Sequence, residues 1–84
     1  MKRIYFTVVC GGSSLDMPGY AVDNGFDCPA VLVARAIARK NGLHLWGNPH
    51  YRNGAYHVSI GRPLSNRSFD CRAAVEFRLD NERG

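Results

Sequence analysis

Residues 2–10 read KRIYFTVVC, and on an extended backbone Ile4, Phe6, Val8 and Cys10 share one side. Tyr5, Thr7 and Val9 on the other side are largely apolar as well. The run therefore predicts a strand covered on both faces, central in its sheet. The glycine, serine and proline content of residues 11–19, GGSSLDMPG, is that of a loop. A short strand over residues 20–22 follows, closed by the turn Asp23-Asn24-Gly25.

The pattern then changes from alternation to helical spacing. In DCPAVLVARAIARKNG, Asp27 is placed to cap the helix and Pro29 falls in the first turn, where its missing N–H costs nothing. Lys40 puts a cation in the last turn, and Gly42 follows as a residue able to close the helix in the left-handed conformation. Ala30, Val33, Ala34, Ile37 and Asn41 lie on one side of the wheel, with Val31 and Ala38 at its edge. Arg35 and Arg39 stand opposite, with Leu32 exposed beside them. The small residues of the inner side suit close packing on a sheet.

Beyond the helix, LHLWG and NPHYRNGAYHVSIG alternate again, and Asn53-Gly54 is a strong two-residue hairpin signal. That turn pairs Arg52 with Ala55, Tyr51 with Tyr56, His50 with His57 and Pro49 with Val58. Pro49, Tyr51, Tyr56, Val58 and Ile60 then face the core, and His50, Arg52, His57 and Ser59 face water. RPLSNRS reads as a loop. In the last segment Ala73, Val75, Phe77 and Leu79 alternate with Ala74, Glu76, Arg78 and Asp80, which predicts a final strand. Phe-Asp-Cys occurs at both Phe26 and Phe69, but the two copies lead into elements of different period, so no internal repeat survives. The expected architecture is a single small α+β domain of order β(β)αβββ. Four antiparallel strands, or five if residues 20–22 join, carry one helix on one face.

With 84 residues the core is thin, but 45% hydrophobic and 11% aromatic residues exclude a disordered chain. No apolar run reaches the roughly 18 residues of a membrane span, and the first residues are too β-like for a secretion signal. Three cysteines, Cys10, Cys28 and Cys71, cannot all pair within one chain and form no CxxC spacing. A reducing cytoplasm is the expected location, with no membrane partner.

Nine arginines against two lysines, within a formal charge of +4, favour planar contacts to carboxylate or phosphate. The candidate binding residues are Arg35, Arg39 and Leu32 on the helix, Arg52, His50 and His57 on the hairpin, and Arg62 and Arg67 in the loop after it. Asp70, Glu76, Asp80 and Glu82 interleave with the last arginines and give that end a mixed surface.

Other chemistry has less support. His50 and His57, directly opposite, could both reach one zinc, but nothing else converges on them. Cys28 at a helix start gains from the dipole, yet Asp27 beside it opposes a thiolate. CGGSS after the first strand lacks the spacing of a phosphate loop. Neither paired carboxylates nor a catalytic constellation is present, so no cofactor and no enzymatic activity are expected.

The expected function is a small interaction module that binds, and by binding inhibits, an acidic protein or a protein–nucleic acid complex. Orphan chains of this size often serve phages and mobile elements as inhibitors of host defence, anti-CRISPR proteins among them; size alone supports that comparison. A small RNA- or DNA-binding protein using the same arginines is the alternative, and a thiol- or metal-dependent enzyme a more distant one. The sequence is compatible with a dimer.

Overall fold

The computed structural model describes residues 2–65 and 67–80. Asn66 in the expected loop and Glu82 among the interleaved acids lie outside these residues. The element order is β1 (Arg3–Ile4), β2 (Phe6–Cys10), β3 (Ala21–Val22), α1 (Pro29–Lys40), β4 (His44–Arg52), β5 (Ala55–Pro63) and β6 (Phe69–Leu79). An antiparallel sheet of order β2-β6-β5-β4 carries the single helix, which is the α+β architecture read from the pattern.

The first strand departs from expectation in two ways. It breaks at Tyr5, whose carbonyl accepts from the Asp80 amide at 2.9 Å, and β1 pairs with β3 in a separate two-stranded ribbon. The remainder, β2, is an edge strand and not a central one, because the C-terminal β6 takes the inner position beside it. The helix covers only one face of the sheet, so Thr7 and Val9 on the other face stay exposed, as does Tyr5 at the break, where burial on both faces was expected.

The inner face of α1 is built as its spacing requires: Ala30, Val33, Ala34, Ile37 and Ala38 are buried. They meet Ile4, Val58, Ile60, Val75 and Phe77 from the strands. Phe77 is stacked on Tyr56, ring centroids 5.7 Å apart, and meets Phe6 edge-on at 6.1 Å. Asn41 ties the helix end to the loop before β3. Its Nδ2 donates to the Ile37 and Asp16 carbonyls, and its Oδ1 accepts from the Asp16 amide at 2.8 Å. Gly42, with φ of 66°, supplies the left-handed closure.

The helix start differs from the reading. Cys28, not Asp27, occupies the cap position, and no side chain accepts from the first-turn amides. Asp27 is held elsewhere: its carboxylate accepts from Asn24 Nδ2 at 2.8 Å and pairs with Arg35.

Asn53 and Gly54 have φ of 54° and 81°, as a primed two-residue turn demands. The pairs Arg52 with Ala55, Tyr51 with Tyr56 and His50 with His57 form as expected. Beyond His50 the register shifts, and Trp46 lies opposite Ser59, so residues 47–49 all face Val58 where Pro49 alone was expected. Gly47, at φ of 74°, absorbs the extra chain. Tyr51 does not enter the core: it is 64% exposed beside the hairpin turn, where it meets Tyr56 edge-on, while Leu45 at the other end of the strand packs against the core. Arg62 belongs to β5 and not to the following loop, since the strand runs to Pro63.

Candidate functional site

The sheet separates the cationic residues that the sequence groups together. Arg35 and Arg39 stand on the outer side of α1. Arg52, His50 and His57 lie on the sheet face turned away from the helix. Arg62 sits at the C-terminal end of α1, where it lines a small cavity with Arg72, Asn41 and Leu43. Arg67 is exposed in the loop before β6, with a left-handed φ of 68°.

Two grooves flank the helix arginines. On the β4 side, Arg35 and Arg39 border a depression of about 540 Å³ with Leu43, His44 and Leu45. On the other side, between α1 and β3, a groove of about 520 Å³ is lined by Tyr20, Val22, Leu32, Arg35, Ala36, Arg39 and Lys40, together with Pro18, Ala21 and Asn24. This second groove has three cations and no carboxylate in its lining. Its floor is apolar, and Tyr20 and Val22 are 39% and 43% exposed. Leu32 is half-buried against the core and forms part of that floor, a correction to the exposed position read from the wheel.

The cations are not equivalent. Arg35 Nη1 lies 3.2 Å from Asp27 Oδ2, an exposed pair worth at most about 1 kcal/mol to stability. Arg39 and Lys40 have no ion pair among the described residues. The aromatic floor continues beyond the groove: Tyr20 meets Tyr5 edge-on at 6.2 Å, and the Arg3 guanidinium lies 4.5 Å from the Tyr20 ring centre. A hydrogen bond with the Tyr5 side chain, and then the electrostatic effect of Tyr20, raise the pKa of Arg3 above its ordinary value.

On the opposite face His57 Nδ1 lies 3.1 Å from Glu76 Oε1, and its Nε2 is 3.2 Å from the Arg52 carbonyl. Among the described residues no group of three histidines, cysteines or acids is placed to hold a metal. Cys28 is exposed and lines a cavity of about 470 Å³ with Lys2, Arg3 and Tyr56; none of the residues that line it is a histidine.

Sequence reasoning missed the ribbon residues Tyr20 and Val22, since nothing local shows that β3 would pair with the first strand and border the helix. The alternation of Tyr20, Ala21 and Val22 was the available signal. Among the described residues no helix is long and apolar enough to cross a membrane. Comparisons with protein-family models, curated proteins and solved structures give no match.

Proposed function

We propose that the chain is a non-enzymatic interaction module whose groove between α1 and β3 takes an acidic segment of a partner protein and inhibits that partner by covering it. The observation that carries this reading is the groove's composition: Arg35, Arg39 and Lys40 around an apolar floor of Leu32, Ala36, Tyr20 and Val22, with no carboxylate in the lining. Tyrosine and arginine are the residue types enriched where protein partners bury surface. An apolar floor gives affinity through burial, and the cations select a negatively charged occupant and speed its approach.

Binding to nucleic acid by the helix arginines has less in its favour. Phosphate-dominated binding calls for one continuous cationic face, and this fold distributes Arg39, Arg52 and Arg62 over different sides. The test is affinity capture from nuclease-treated lysate with the wild-type chain and with Arg39→Glu/Lys40→Glu. A protein partner is retained by the first and lost by the second. A partner released by the nuclease, or held equally by both chains, overturns the reading.

A further inference from the structure

The sheet face turned away from α1 carries a second arrangement that the groove does not use. Trp46 projects from β4 and meets Phe69 of β6, their ring centroids 4.9 Å apart and their planes tilted by 38°. Gly61, which carries no side chain, lies on β5 between those two strands. Trp46 remains 55% exposed after this contact. Beside it Ser59 and Ala74, paired with each other across β5 and β6, form a floor of small side chains. The result is an open depression of about 360 Å³ bounded by Trp46, Asn48, His50 and His57.

We propose that this face seats an unpaired nucleobase of a single-stranded nucleic acid. A half-exposed indole already braced by a second ring offers a flat apolar surface of the kind on which bases stack. Asn48 and His50 border the depression with an amide and an imidazole suited to the polar edge of a base, while both ring nitrogens of His57 are engaged within the fold, at Glu76 and at the Arg52 carbonyl. The carboxylate that borders it, Glu76, is already engaged by His57. Arg52 and Arg78 share the face by strand register, are exposed and have no ion pair among the described residues, so they are placed for flanking phosphates. The small floor leaves room for a planar ring but encloses nothing, which matches an extended strand passing over the sheet.

This inference stands apart from the groove, on the other side of the sheet.

The chain contains one tryptophan, so Trp46 reports its own occupancy. The whole chain is titrated with dodecamers of deoxythymidylate and of uridylate at low salt, and tryptophan emission is followed. Saturable quenching by either supports the proposal, and the tighter of the two tells DNA from RNA. With 5′-labelled oligonucleotide and anisotropy, Trp46→Ala should weaken binding about 10-fold or more, Trp46→Phe should retain most of it, and Arg39→Glu/Lys40→Glu should leave it within about 3-fold. No saturable quenching with either polymer overturns the proposal. So does binding lost with the helix arginines but not with Trp46→Ala, and so does an emission change that follows protein concentration without oligonucleotide, which would show a second copy covering Trp46.

Discussion

Asp27 reaches eight residues forward to Arg35, with Oδ2 lying 3.2 Å from Nη1, instead of capping the helix that begins just after it. The pair places the one carboxylate that touches the helix arginines, among the described residues, at the end of the groove. Arg35 is thus partly neutralised before any partner arrives, and Arg39 and Lys40 carry the larger share of the attraction.

Asp27→Asn keeps the shape of the side chain and removes this competition. It should change stability by less than about 1 kcal/mol, since the pair is exposed, while tightening the hold on an acidic partner. Thermal melting and a binding titration, run side by side, check both parts. Weaker binding would show that Asp27 positions Arg35 for the partner and does not compete with it.

Cys28 occupies the cap position in an extended conformation, φ −58° and ψ 135°, with no side-chain acceptor for the first-turn amides. Serine in that conformation supplies an oxygen that can accept from them. Cys28→Ser should therefore stabilise the fold by about 0.5–1 kcal/mol, a rise in Tm of roughly 2–8 °C for a chain of this size. An unchanged or lower Tm would mean that the thiol contributes packing which the hydroxyl cannot replace.

Gly61 marks the register shift between β5 and β6, and a Cβ there would collide with the Asp70 carbonyl oxygen. Both groups are backbone, so neither can yield cheaply. Gly61→Ala should cost about 1–3 kcal/mol and shift the emission of Trp46, because that contact helps hold the strands beneath the two rings. Denaturant unfolding followed by tryptophan fluorescence reads both effects in one experiment.

The elements that could be read from the sequence are those whose causes are local. Ala30, Val33, Ala34 and Ile37 fix the buried side of α1 by spacing alone, and Asn53-Gly54 fixes the hairpin by its need for positive φ. Non-local pairing could not be read in the same way. That residues 6–10 would lie at an edge depends on β6, some 70 residues away, taking the inner position. The destination of Asp27 depends on a loop conformation that holds Asn24 beside it. The extra residues among Gly47, Asn48 and Pro49, a breaking composition that announced an irregularity but not its length, set Trp46 opposite Ser59, where an unbroken register would put Gly61. Of the candidate site, the outward-facing Arg35 and Arg39 were legible from helical geometry, and Leu32 in position but not in its half-burial. Tyr20 and Val22 were not, because their place beside α1 follows from pairing with β1.

The central claim is the seat of an acidic segment between α1 and β3. Its most direct test is an amide chemical-shift titration of the isotopically labelled chain with the partner recovered from nuclease-treated lysate. The predicted perturbations run through Tyr20, Val22, Leu32, Ala36 and Arg39, and vanish in Arg39→Glu/Lys40→Glu. Perturbations that leave these residues unmoved and gather on Arg52, Arg62 or the β2 edge would contradict it.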